Sequence, residues 1–161
     1  MKNIIIITIT LLSANHFTSC DKENDEHGID IKTLPAAVVT YINTNFAGYT
    51  IDEAQKDTLC NGTVGIEVAL EKKNADDIEL FFNNENTYIL KEEEIKYSAL
   101  PASVHAFFST NYPNYKLPKD AEKITLANGT VQYEVDLEEK TTKKAKEAVT
   151  NADGSAKICE R

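Results

Sequence analysis

The sequence predicts an α+β fold of two tandem units, each with one helix packed on a four-stranded antiparallel meander. Three observations predict this architecture. The segment from Asn61 to Leu70 recurs almost unchanged from Asn128 to Leu137. Both copies alternate apolar and polar side chains, which is the pattern of a strand with one buried face and one wet face. A Leu-Pro pair followed by an apolar stripe at helical spacing also occurs twice, at Leu34 and at Leu100.

The first residues are typical of an export signal. Lys2 precedes an apolar run from Ile4 to Leu12, which is too short to span a bilayer as a helix. The segment Phe17 to Cys20 resembles the lipobox of bacterial lipoproteins, in which the chain is cut just before a cysteine that receives the lipid. We therefore predict a signal peptide over 1–19 and a lipid-modified Cys20. The alternative is an ordinary cleaved signal that leaves a free cysteine.

Residues 20–32 form a short, charged segment without apolar periodicity, which predicts a flexible acidic tether. An acidic run after the anchor cysteine resembles the surface-export signal of lipoproteins in one group of Gram-negative bacteria; the alternative is a plain spacer. The chain has a net charge of −9, so it should repel nucleic acid and anionic membrane surfaces. We expect an exported protein held at the outer membrane by lipid alone, facing the periplasm or the cell surface.

The folded part is predicted to contain a first repeat over 33–92 and a second over 93–161. In each repeat a proline stands at the start of the helix, where it is tolerated. The residues of the two apolar stripes are Leu34, Val38, Tyr41, Ile42 and Phe46 in the first helix, and Leu100, Val104, Phe107, Phe108 and Tyr112 in the second. Both helices are short, so packing on a sheet must stabilise them.

Strands follow each helix. We predict them over Ala54–Cys60, Thr63–Leu70, Asp77–Phe82 and Thr87–Lys91, and over Ala121–Ala127, Thr130–Leu137, Lys144–Thr150 and Ser155–Glu160. The two Asn-Gly pairs predict hairpins with type I′ turns. In the second repeat the third strand is weak, because its sequence could also form a helix. The segment from Lys91 to Tyr97 is expected to join the two repeats, which should pack together.

Two cysteines lie in the folded part. Cys60 ends the first strand of the first repeat, and Cys159 ends the last strand of the second. An exported protein can carry a disulfide, and an even pair invites one. In a plain meander, however, these residues lie at opposite outer edges, too far apart to be bridged. We therefore favour two half-buried free thiols over a disulfide.

The repeated Leu-Pro-x-x-Val helix, Asn-Gly-Thr-Val turn and Glu-Val-x-Leu strand resemble the PepSY-like family of secreted bacterial proteins. That family is similar in fold to the β-lactamase inhibitor protein, which binds its enzyme across an open sheet face. PepSY domains are associated with peptidase propeptides and are thought to restrain proteases. The resemblance covers Leu34 to Ile158 and implies a β-lactamase-inhibitor-like fold. It assigns no functional residue, because no inhibitory loop can be matched.

No set of catalytic residues is found in the sequence. His105 lies within the second helix without an identifiable partner, and no phosphate-binding glycine loop occurs. We therefore predict no enzymatic activity and no cofactor. Asp76-Asp77 and Glu92 to Glu94 could bind a hard cation, but solvated charge explains them better, so no metal site is expected. Thr58 lies in an Asp-Thr-Leu sequence that resembles a bacterial O-glycosylation acceptor.

The wet face of the sheet is the predicted binding surface. If Ile78, Leu80 and Phe82 point inward, Phe81 points outward, and an exposed aromatic side chain rimmed by polar groups can mark a protein-binding patch. The candidate residues are Glu67, Phe81, Ile89, Gln132, Glu134 and Asp136. Alternatively, Phe81 and Ile89 pack against the neighbouring repeat.

These features predict a non-enzymatic, lipid-anchored cell-envelope protein that acts as a protein or peptide interaction module through its sheet face. We expect a monomer, with an envelope protein or a secreted protein as its partner. The alternative is an inhibitor of a secreted protease or β-lactamase.

Overall fold

The computed structural model describes residues 28–160, so the predicted signal peptide, Cys20 and most of the tether lie outside the described residues. Within residues 28–160, two α-helices and nine strands form in chain order. The helices are α1 (Ala36–Asn45) and α2 (Ala102–Asn111). The strands are β1 (Thr50–Thr58), β2 (Val64–Glu71), β3 (Ile78–Asn83), β4 (Tyr88–Lys96), β5 (Tyr115–Lys116), β6 (Asp120–Leu126), β7 (Val131–Glu139), β8 (Ala145–Asn151) and β9 (Lys157–Glu160). The α+β class and the helix-plus-meander repeat are confirmed.

The two helices are built in the same way. Each begins directly after a proline, Pro35 or Pro101, whose backbone is extended. Each is followed by an aromatic residue, Phe46 or Tyr112, whose amide donates to the carbonyl four residues earlier. The predicted stripes are confirmed, because their members are buried or half-buried against the sheet. Helices of this length depend on such packing rather than on their own propensity.

All strands belong to one antiparallel sheet, in the order β1-β2-β3-β4-β6-β7-β8-β9, with β5 paired to β7. The repeats are joined by the pairing of β4 with β6, from Leu90 opposite Leu126 to Lys96 opposite Asp120. The segment predicted as a connection between the repeats is thus mostly the second half of β4. The weak third strand of the second repeat is confirmed as β8, which is held between β7 and β9.

The two Asn-Gly hairpins form, but their predicted turn type is wrong. In each turn only the glycine has a positive φ, +87° at Gly62 and +83° at Gly129. The loop has three residues, since the Gly62 amide donates to the Leu59 carbonyl and the Leu59 amide donates to the Thr63 carbonyl. This is a type I turn followed by a glycine bulge. The asparagine instead accepts a hydrogen bond on its side chain, with Thr63 N 2.9 Å from Asn61 Oδ1.

Both helices cover the same side of the sheet, where they close two apolar cores. The first core joins α1 to β1, β2 and β3 through residues such as Val38, Val68 and Leu80. The second joins α2 to β6, β7 and β8 around Phe108, and includes Val135 and Leu137. One expectation of burial is wrong. Val64 is 50% exposed, because it begins β2 at the turn, beyond the reach of α1.

A disulfide joins Cys60 to Cys159, so the expectation of free thiols is wrong. In a flat sheet, strands are spaced about 4.8 Å apart, so the seven spacings from β1 to β9 would separate these strands by roughly 34 Å. The Cα atoms of the two cysteines are 5.9 Å apart. The sheet must therefore curl until its two edge regions meet at this end. The prediction failed because it assumed a flat meander, whereas antiparallel sheets twist and coil.

Candidate functional site

The curl gives the sheet a concave face, on the side opposite the helices. We use this name for the side chains of β1 to β4 and β6 to β9 that point away from the helices. Within residues 28–160, neither helix covers this face. It has two ends of different chemistry. The end beside the disulfide is apolar, and the other end is acidic.

The apolar end is a small core that both repeats supply. Its buried members are Phe81 from β3, Leu90 from β4, Ile124 from β6 and Val149 from β8. Phe81 does point away from the helices, but it is only 1% exposed. The alternative in which Phe81 packs against the neighbouring repeat therefore describes the structure. Its ring lies over Gly65, where a Cβ atom would come within 2.7 Å of the Phe81 ring.

A cavity of about 110 Å³ opens beside this core. Apolar side chains line most of it, including Leu90, Leu126 and Val149, together with both cysteines. Two carboxylates, Glu92 and Glu134, lie at its border. Cofactor and drug-sized sites usually have volumes of roughly 300–1,000 Å³. This cavity therefore has room for a single side chain rather than for a cofactor.

Beyond Glu92 the concave face becomes acidic. A second cavity, of about 430 Å³, is lined by the carboxylates of Asp76, Asp77, Glu79, Glu92, Glu94 and Glu122. Glu92 borders both cavities and joins the apolar end to the acidic end. The strand register places like charges side by side, with Glu79 opposite Glu92 and Glu94 opposite Glu122. Such pairs are unfavourable on a sheet, because carboxylates directly opposite each other repel.

This crowding changes the ionisation of the carboxyl groups. Burial, followed by the charges of Glu134, Glu67, Glu79 and Glu122, raises the pKa of Glu92 to about 8. Burial and neighbouring carboxylates likewise raise the pKa of Glu122 to about 7. The pKa of Glu79 is also raised, first by burial and then by Glu67. At neutral pH this end of the face therefore holds protons, which a cation could replace.

Two sets of three carboxylates lie close enough to hold a metal ion. One set is Glu67, Glu79 and Glu92, and the other is Glu134, Asp136 and Glu147. In each set the ligand atoms lie within 4.8 Å of one another. Carboxylate oxygens are ligands that hard cations prefer. Of the residues considered from the sequence, Asp76, Asp77, Glu92 and Glu94 line the acidic cavity, whereas Glu93 faces the helix side and pairs with Lys91 and Lys123.

The structure brings most of the predicted binding residues onto the concave face. Glu67 accepts a hydrogen bond from Gln55, and Gln132 and Glu134 border the apolar cavity. Ile89 packs at the edge of the apolar core, and Asp136 is exposed farther along β7. Thr58, the predicted glycosylation residue, is exposed at the end of β1. Glu79 and Glu122 were missed, although both occupy wet-face positions in their strands, which was the available signal.

Neutralising Glu92 is expected to make stability less dependent on pH. Its folded pKa lies above the usual value, so the folded protein keeps a proton that the unfolded chain loses between about pH 4.5 and 8. The contribution of Glu92 to stability therefore falls as the pH rises through that range. Glu92→Gln should raise the free energy of unfolding by about 1–3 kcal/mol at pH 9 and change it little at pH 4. Urea unfolding at both pH values measures this.

The matched control is the next residue along β4. Glu93 points to the helix side, where burial raises its pKa but hydrogen bonds from Lys91 and Lys123 outweigh that effect and lower it. Glu93→Gln should cost up to about 1 kcal/mol, with no change between pH 6 and 9, since this carboxylate is ionised throughout that range. Equal responses of the two variants to pH would contradict the assignment of the shift to the concave face.

The comparisons with known proteins agree on this fold. The sequence profile of a family described as "Putative beta-lactamase-inhibitor-like, PepSY-like" matches residues 21–89 and 76–149. Among solved structures, a DUF2874 family protein from Bacteroides uniformis has a TM-score of 0.59 at 12% identity, covering 80% of this chain and 88% of that one. No curated protein matches the sequence.

Two further solved structures share the fold. A BLIP-like protein from Bacteroides fragilis has a TM-score of 0.51 at 16% identity, covering 80% of this chain and 86% of that one. A protein from Bacteroides eggerthii, described as "putative periplasmic", has a TM-score of 0.57 at 11% identity, covering 79% and 87%. Among residues 28–160, neither helix has the length and apolar character needed to cross a bilayer. With both repeats matched by the family profile, the chain belongs to the beta-lactamase-inhibitor-like, PepSY-like family.

Proposed function

We propose that this protein is a non-enzymatic interaction module of the cell envelope, which binds a protein or peptide on its concave face. The observation that supports the proposal most is the uncovered side of the sheet. Within the described residues, apolar and acidic groups are gathered there and the helices lie elsewhere. Crowded carboxylates with raised pKa values cost stability, and a ligand that relieves their repulsion would gain that energy on binding.

The place of action is part of the proposal. The export signal and Cys20 support an outer-membrane lipoprotein, with the folded domain in the periplasm or at the cell surface. The periplasmic description of the similar Bacteroides eggerthii protein points to the same compartment. Metabolic labelling with palmitate should mark the wild-type chain and not Cys20→Ala. Equal labelling of both would remove the lipid anchor from the proposal.

Site-specific photo-crosslinking in the producing cell tests the binding face. Ala75 lies at the rim of the acidic cavity, and Ala102 begins α2 on the other side of the sheet. Both residues are exposed alanines, so the same photoreactive amino acid can replace either one. We expect a discrete adduct from position 75 and none from position 102. Adducts from position 102 alone, or from neither position, would contradict binding on the concave face.

A second candidate function is inhibition of a secreted protease or β-lactamase. It is supported by the family description and by the fold shared with the BLIP-like protein from Bacteroides fragilis. It predicts dose-dependent inhibition of a purified secreted hydrolase at stoichiometric concentrations. If a broad panel of secreted proteases and β-lactamases keeps full activity in the presence of the protein, this candidate function would be rejected.

A further inference from the structure

We infer that the apolar cavity beside the disulfide receives a lysine or arginine side chain of the partner, with the methylene stem inside the cavity and the charged head between Glu92 and Glu134. This inference rests on the proposed function and names the chemistry that the concave face would recognise. It assigns the cavity to one side chain of a basic segment in another protein.

The size and lining of the cavity suit the aliphatic stem of one side chain. Its volume of about 110 Å³ corresponds to a few water molecules, each of which takes up roughly 30 Å³ in the liquid. The walls are the side chains of Leu90, Leu126 and Val149, and Ile158 lies at the mouth. Lysine and arginine pack their aliphatic stems on such surfaces while the charged end reaches a polar border.

The negative charge at the border of the cavity favours a cation. Glu92 and Glu134 line the cavity, and the charges of Glu67 on β2, Glu79 on β3 and Glu122 on β6 also act on Glu92. The lysines nearest to Glu92 in sequence and in register, Lys91 and Lys123, point to the helix side, where they bind Glu93. An acidic or neutral side chain would add to the repulsion or leave it unchanged. A cation would remove it and form charge-assisted hydrogen bonds.

In the experiment, the full mature chain is titrated with a pentapeptide and observed by methyl NMR. The peptide has blocked termini and a central arginine between threonine and valine residues. The control peptide carries citrulline, which has nearly the same shape as arginine without its charge. With the arginine peptide, we expect chemical-shift changes at the methyl groups of Leu90, Leu126 and Val149. The affinity for this peptide should be at least 10-fold higher than for the citrulline peptide. Glu92→Gln should weaken binding about 10-fold, whereas Glu93→Gln should leave it unchanged.

Several results would overturn the inference. Equal binding of the two peptides, shifts confined to residues outside the cavity, or no shifts at 10 mM peptide would each do so. Shifts that grow with protein concentration in the absence of peptide would assign the cavity to a second copy of the chain. If neither peptide binds but position 75 still gives a crosslinked adduct, the proposed binding on the concave face would be kept. Only the inference that the cavity receives a basic side chain would then be rejected.

Discussion

Replacing Cys60 and Cys159 together by serine is expected to lower the free energy of unfolding by about 2–5 kcal/mol. The bridge spans a sequence separation of 99 residues, so its loss returns a large amount of conformational freedom to the unfolded chain. It also fixes β9, a four-residue edge strand that otherwise depends on its pairing with β8. Urea unfolding monitored by circular dichroism measures the change.

The reduced wild-type protein provides the control, since it loses the covalent link but keeps both sulfur atoms. Its stability should agree with that of the double-serine variant to within about 1 kcal/mol. Hydrogen exchange should also speed up first at Lys157–Glu160. A double variant as stable as the oxidised wild type would show that the curl of the sheet does not depend on the bridge.

Phe81→Ala is expected to destabilise the protein by about 3–5 kcal/mol. The ring is buried between the two repeats and packs over Gly65, so its removal leaves a cavity that the backbone cannot fill. Phe107→Ala on α2 is the control, because that ring is only half-buried and its loss should cost clearly less. Denaturant midpoints of the two variants give the comparison.

The outcome at Phe81 separates two roles. A large loss of stability identifies the ring as part of the core between the repeats, as its burial indicates. If Phe81→Ala unfolded at the same denaturant concentration as the wild type, the apolar end of the concave face would not be a core. Phe81 would then return to the set of residues available to a partner.

The sequence predictions were accurate where a feature depends on interactions between residues that are close in sequence. The alternation in β2 and β7 and the stripes of α1 and α2 are local patterns, and they located the elements to within a few residues. Val64 departed from its pattern only because it lies at the end of its strand. The turn type was missed because a three-residue loop and a two-residue loop can carry the same Asn-Gly pair.

The disulfide and the acidic cavity depended on long-range geometry. Cys60 and Cys159 meet only because the sheet curls, and no residue near either cysteine records that curvature. The carboxylates of Glu79, Glu92 and Glu122 come from three strands, and their sequence neighbours point to the opposite side of the sheet. The pattern within each strand indicated that each carboxylate lies on the polar face of the sheet. It did not indicate that the carboxylates of different strands would lie close together.

The pairing of β4 with β6 also bears on how the chain can be divided. A fragment that ended after the first repeat would leave the outer backbone of β4 without its partner strand, from Leu90 to Lys96. Unpaired strand edges of this kind recruit other chains and promote aggregation. Truncation after β4 should thus give insoluble material rather than a smaller folded domain.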